Sequence, residues 1–182
     1  MSENTKITNR QIPKRPRDEY PIYKKMEDEI AMIESQMIID NFDAQINNYT
    51  FALDDYIRKI DDYAEVFCHD VNALQSAEDA YDPKYVPMNR NMKMNIIVHV
   101  EILDNVIKQL KWLNTVVFEE NIESLNNKIS KLAFNATSVN YYVKREIASY
   151  RKSLIDKHHD YSNIETRFTI FKDNLISYYD SL

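Results

Sequence analysis

The chain has no glycine in its 182 residues. Glycine reaches positive φ without strain and so serves tight turns and helix C-caps. A β-rich or α/β fold of this length needs many such positions, whereas a few long helices need very few. The absence also excludes Gly-rich phosphate loops and dinucleotide fingerprints, so nucleotide binding by those routes is ruled out. Cysteine is nearly absent as well. Cys68 stands alone and cannot form an internal disulfide, so the fold is not a disulfide scaffold. No apolar run approaches the roughly 20 residues of a membrane span, and no apolar signal core opens the chain. The longest apolar region, residues 96–118, is interrupted by His99, Glu101, Asp104, Lys108 and Lys111. The expectation is a chain that neither spans a membrane nor is secreted, placed in the cytoplasm, the nucleus or a virion.

Proline occurs five times, and its positions divide the chain. Pro13, Pro16 and Pro21 forbid a continuous helix over residues 1–21, which read as an N-terminal arm. The arm is basic, with Lys6, Arg10, Lys14, Arg15 and Arg17. Its core, Pro13-Lys14-Arg15-Pro16-Arg17, resembles a nuclear-import or phosphate-binding patch. Such a segment suits gripping a protein partner or nucleic acid. Pro83 and Pro87 mark the main reversal of the chain, within a loop expected over residues 81–91.

Between these breaks the apolar residues recur at helical spacing. Met26, Ile30, Ile33 and Met37 step by four, three and four. After a phase slip, Ile46, Leu53, Ile60, Phe67 and Leu74 lie seven apart, with Tyr49, Tyr56 and Tyr63 offset by three. This is an a/d heptad seam on one long helix. A second stretch begins with Ile96, Val100, Leu103, Ile107 and Leu110, then shifts phase into Phe118, Ile122, Leu125, Ile129 and Leu132. At the end, Ile147, Leu154, Tyr161, Phe168, Leu175 and Leu182 are seven apart. Phe171 and Tyr178 fill the other seam position.

The reading is an all-α protein of long antiparallel helices. A single helical domain, residues 22–182, carries helices at about 22–80, 92–134 and 138–181. A turn is expected near Asn135–Ser138, with a bend near Glu119–Asn121 as the rival, and a helical hairpin is the alternative architecture. The packing seam comprises Ile46, Tyr49, Leu53, Tyr56, Ile60, Tyr63, Phe67, Leu154, Tyr161, Phe168, Phe171 and Leu175. Residues 18–80 carry 16 acidic and 4 basic side chains, net −12. Residues 83–182 carry 11 and 14, net +3. That contrast predicts an antiparallel contact between residues 54–70 and the basic stretch 128–157.

No catalytic constellation stands out. Metal-binding helices need ligands spaced by three or four, and Glu65/His69 and Asp156/His159 are isolated pairs rather than a set. The acidic pairs Asp54-Asp55 and Asp61-Asp62 recur at heptad spacing off the seam, the pattern of a solvated face. Cys68 lacks a base in register. The expectation is a non-enzymatic structural or assembly protein without cofactor or metal. Its partners would be other protein subunits, self-association included, and its long helices would act as a spacer, clamp or oligomerisation element. Abundant Asn, Ile, Lys, Asp and Tyr fit an AT-rich source such as a virus, a phage, a parasite or an AT-rich bacterium, so a virion component is one concrete form and an adaptor in a cellular complex fits equally well physically. The alternative is a nucleic-acid-associated module using the arm and the cluster Lys144, Arg145, Arg151, Lys152 and Lys157, against a net charge of −6.

Overall fold

A computed structural model describes residues 20–134 and 138–182. It is a bundle of three long helical rods. The first, α1, spans Tyr20–Asp79, a rod of about 90 Å at 1.5 Å per residue. The second rod has three parts: α2 over Tyr85–Trp112, a π-helical turn over Leu113–Phe118, and α3 over Glu119–Phe134. The third is α4, Ser138–Ser181. No strand occurs among the described residues.

The reversal after α1 is shorter than the prolines suggest. The Tyr81 amide bonds the Glu78 carbonyl at 3.1 Å and the Asp82 amide bonds the Ala77 carbonyl at 2.8 Å. These two bonds form a Schellman closure, with Tyr81 at the position where glycine is usual. Tyr81 accordingly has φ 52°, in the left-handed region. The next helix begins at Tyr85, not at residue 92. Val86 and Pro87 fall in its first turn, where a backbone N–H has no intrahelical acceptor, so the missing proline donor costs nothing. Pro21 likewise sits in the first turn of α1. The turn expected over residues 135–137 lies outside the described residues.

Pairs across the interfaces fix the directions. Tyr49 meets Trp112 and Tyr63 meets His99, so α1 and α2 are antiparallel. Asp104 pairs with Lys172, Asn114 with Glu165, Phe118 with Tyr161 and Asn126 with Arg151, so the second rod and α4 are also antiparallel. It follows that α1 and α4 run parallel. Asp43 meets Tyr150, Asp54 meets Tyr161 and Asp61 meets Arg167, at separations of 107, 107 and 106 residues. The expected contact between residues 54–70 and 128–157 is therefore a mismatch. In this register residues 54–70 lie beside residues 161–177 of α4. The acidic side of α1 meets α4 through two tyrosine hydroxyls and one arginine rather than through the basic cluster.

One continuous core runs between the rods. Its fully buried members include Ile46 and Ile60 of α1, Ile96, Leu103 and Leu110 of α2, Leu125 of α3, and Ile147, Phe168 and Leu175 of α4. The π turn accounts for the phase shift in the second stretch. Leu113 with Asn114, and Val117 with Phe118, are buried as adjacent pairs. A π turn inserts one extra residue into the helical ladder, so the seam passes from one row of side chains to the next without breaking the rod. Among the described residues, α3 packs on α4 and makes little contact with α1.

Candidate functional site

The N-terminal part of α1, residues 22–42, carries two apolar faces. Ala31, Ser35 and Phe42 are buried and Ile38 packs beside them. At 100° per residue these four share one side of the helix. Phe42 reaches the ring of Tyr150 on α4 at 6.4 Å between centroids. On the opposite side, roughly 150° away, lie Ile22, Met26, Ile30, Ile33 and Met37. They are 64, 53, 46, 60 and 68% exposed, so this stripe, which the sequence presents as the start of the bundle seam, faces solvent. Tyr23 and Met32 border it, also exposed. The phase slip before Ile46 is the point where the apolar pattern passes from the outer face to the inner one. The inner residues Ala31, Ser35 and Phe42 escaped the sequence reading because one is a serine and one an alanine. Their spacing of four and seven was the available signal.

The outer stripe has its own heptad. Tyr23, Ile30, Met37, Ala44 and Phe51 stand seven apart, and Met26 and Ile33 fill the alternate position. Phe51, 84% exposed, continues the stripe beyond Met37. Asp40 and Asn47 take the alternate position in the following heptads, so the dense part of the stripe ends near Met37. The positions flanking it, where a coiled-coil partner would place its charges, hold Glu27, Glu29, Glu34 and Gln36 and no basic residue.

The seam residues are distributed as follows. Ile46, Leu53, Ile60, Tyr63, Leu154, Tyr161, Phe168 and Leu175 are buried, and Phe67 and Phe171 pack partly buried against the core. Tyr49 and Tyr56 are a correction. Each is almost half exposed, and Thr50 and Ile57, one position further on, are buried in their place. Tyr49 instead rests edge-on against Trp112 at 4.8 Å. Lys59 lies over the Tyr56 ring at 5.5 Å. The wide rings thus sit at the rim of the bundle.

Two partly buried polar contacts join the rods near the π turn. The Tyr161 hydroxyl donates to the Asp54 carboxylate. The buried Asn114 amide donates to Glu165 Oε2 at 2.9 Å, and its own oxygen has no partner among the described residues. Burial, reinforced by the carboxylate acceptor, pushes the Tyr161 phenol well above the usual tyrosine range. Tyr150, bonded to Asp43 at 2.6 Å, shifts the same way for the same reasons. The Tyr63 hydroxyl is buried without a partner among the described residues, and desolvation, aided by Asp70, raises it to about 12.

The remaining candidates are separated by the fold. His99 stacks on Tyr63, His158 stacks on Phe118, and His69 and His159 are exposed. Among the described residues no group of three His, Cys, Asp or Glu side chains is placed to hold a metal ion. Cys68 is exposed. No helix is long and apolar enough to cross a membrane among the described residues. Of the basic cluster, Arg151 reaches across to α3, donating to the exposed Asn126 Oδ1 at 2.5 Å, and Arg145 lies over Tyr142 and 3.7 Å from Glu146. Lys157 points more than about 100° away from Lys144 and Arg145 around the helix. The arm residues Lys6, Arg10, Lys14, Arg15 and Arg17 lie outside the described residues. No known protein family, curated protein or solved structure matches this chain.

Proposed function

We propose that this chain is a non-enzymatic structural or assembly protein: a rigid three-rod bundle that presents the outer face of α1 to another protein. The observation that carries the reading is the exposed stripe Ile22, Met26, Ile30, Ile33 and Met37. Single exposed apolar residues are ordinary on protein surfaces. A contiguous row on a helix whose opposite face is already buried is a surface of association. The six side chains Tyr23 and the five stripe residues expose roughly 700 Å², close to the ≈800 Å² that each partner contributes to a standard interface. The basic arm precedes this face directly, which suits a clamp that grips the same partner. A viral or phage virion component is the concrete form the composition favours. The nucleic-acid alternative has less support, because Lys157 points away from the other four basic residues of the cluster and Arg151 is already bonded to Asn126.

The test places a photo-cross-linking amino acid, p-benzoylphenylalanine, at Ile33 or at Met37, and as a control at Ile170, an exposed apolar residue of α4. In the native source, a discrete protein adduct at the two α1 positions and none at Ile170 is the expected result. Equal labelling from all three sites, or none, refutes the assembly reading.

A further inference from the structure

The edges of the outer stripe say what kind of helix fits it. Written as a heptad, the stripe has Tyr23, Ile30 and Met37 at a and Met26 and Ile33 at d. The e positions are then Glu27 and Glu34, and the g positions are Ile22, Glu29 and Gln36. Lys24 and Lys25 fall at b and c, away from the seam edge. In coiled coils the e and g residues meet across the interface and set partner choice and orientation. A parallel pairing of two copies of this face would bring Glu29 of one against Glu34 of the other. An antiparallel pairing would bring Glu27 against Glu34. Both self-pairings oppose like charges, and neither offers a compensating cation.

A membrane surface is a poor fit for the same reason. Helices that lie on anionic lipid carry Lys and Arg beside their apolar face, and here the edges are glutamate. The chain's own basic arm has the right sign but little to insert, since residues 1–19 contribute only Met1, Ile7 and Ile12 as large apolar side chains.

We infer that the outer face of α1 docks an amphipathic helix from a different protein, with apolar residues at its a and d positions and Lys or Arg at e and g. This rests on the reading of the stripe as an association surface and adds the chemistry of the partner to it. The stripe from Ile22 to Met37 extends about 22 Å at 1.5 Å per residue, so about four turns of partner helix cover it.

The experiment uses the full chain and three synthetic 28-residue peptides. The first has Ile at a, Leu at d and Lys at e and g. The second has the same seam with Glu at e and g. The third is a scrambled sequence of the first peptide's composition. Fluorescence anisotropy measures binding in low salt and in 0.5 M salt. The Lys-edged peptide is expected to bind at least about tenfold more tightly than the Glu-edged one, and to weaken in high salt. The variant Ile33→Asp with Met37→Asp should lose that binding at unchanged helicity and melting temperature, because both residues are exposed. The triple variant Glu27→Lys, Glu29→Lys and Glu34→Lys should reverse the preference toward the Glu-edged peptide. Equal binding of both seam peptides overturns the inference about charge and leaves the assembly reading standing. Binding of the scrambled peptide as tight as that of the first overturns it as mere charge attraction. Dimerisation of the chain, abolished by Ile33→Asp in sedimentation equilibrium, overturns it in favour of a second copy. Binding to phospholipid vesicles that Ile33→Asp abolishes overturns it in favour of a membrane surface. Binding of none of the peptides overturns it too, whereas the assembly reading stands or falls separately, on the cross-linking at Ile33 and Met37 compared with Ile170.

Discussion

The parallel contact between α1 and α4 is bridged by tyrosine hydroxyls on carboxylates, and Tyr161→Phe tests whether that bridge holds the register. The substitution keeps the ring, which is 6% exposed and packs against Phe118, and removes the hydroxyl that donates to Asp54. A hydrogen bond to a charged group is worth about 1.5–3 kcal/mol, and because Asp54 is exposed to solvent the lower end, about 1.5 kcal/mol, applies. For a chain of this length that corresponds to a fall of about 3–6 °C in melting temperature. The alkaline limb gives an independent reading. Burial and Asp54 raise the folded-state ionisation of Tyr161 above its ordinary value of 10. The folded chain therefore holds the phenolic proton where the unfolded chain releases it. Its contribution is fully present below pH 10 and is lost as pH rises from there toward the folded-state value. Each such tyrosine steepens the loss by about 1.4 kcal/mol per pH unit. Urea unfolding of wild type and Tyr161→Phe between pH 7 and 11.5, with phenolate absorbance at 295 nm, measures both effects. In a double-mutant cycle with Asp54→Asn, the two substitutions should couple by about 1 kcal/mol or more. A neutral Tyr161→Phe with an unchanged alkaline slope would refute the assigned role of this bridge.

Four further outcomes are expected. Tyr81→Gly should stabilise the chain by about 0.5–1 kcal/mol in thermal melts. It relieves a left-handed residue whose side chain is 93% exposed, and part of the gain is returned as glycine's greater chain entropy. Phe168→Ala should cost about 3–5 kcal/mol in urea unfolding, whereas Phe51→Ser, on the outer face, should cost less than about 0.5 kcal/mol. Deleting Thr115, an exposed residue of the π turn, should leave the bundle folded by circular dichroism, because removal of the extra residue restores an ordinary helix with the flanking faces in place. Deleting Lys108 from α2 rotates the following seam by about 100° and should be far more damaging. Removal of residues 1–19 should leave the melting temperature within a few degrees and abolish partner capture.

Much of the architecture was legible because a period of seven survives any detail of packing. Ile46, Leu53, Ile60 and Leu154, Phe168, Leu175 announce buried stripes without reference to their neighbours. The parts that stayed hidden depend on what lies across the interface. Tyr49 and Thr50 compete for one slot, and only the proximity of Trp112 settles that the tyrosine takes the rim. The shift of phase before Phe118 is visible in sequence, but a bend and a π turn absorb an extra residue equally well there. The direction of α1 against α4 was misjudged because charge totals carry no register. The carboxylates Asp43 and Asp54 are met by phenols, which a count of lysines and arginines does not include. The exposure of the N-terminal stripe of α1 stayed hidden for a related reason: the spacing of Met26, Ile30, Ile33 and Met37 tells which residues share a side of a helix, not whether that side is covered by the same chain.

The separation of 106–107 residues between α1 and its parallel neighbour has a consequence in time. At about 5–20 residues per second of synthesis, Phe42 waits roughly 5–20 s for the Tyr150 it packs against. During that interval the first helix has emerged with both of its N-terminal faces uncovered. The turn at Ala80–Lys84 lets α2 fold back early on the later part of α1, but the Tyr150 ring that Phe42 meets lies on α4, the last rod to be made. On the proposed reading, a partner helix met on the ribosome would find its face before the bundle is closed, and its binding would shield the apolar surface of the nascent helix until α4 arrives.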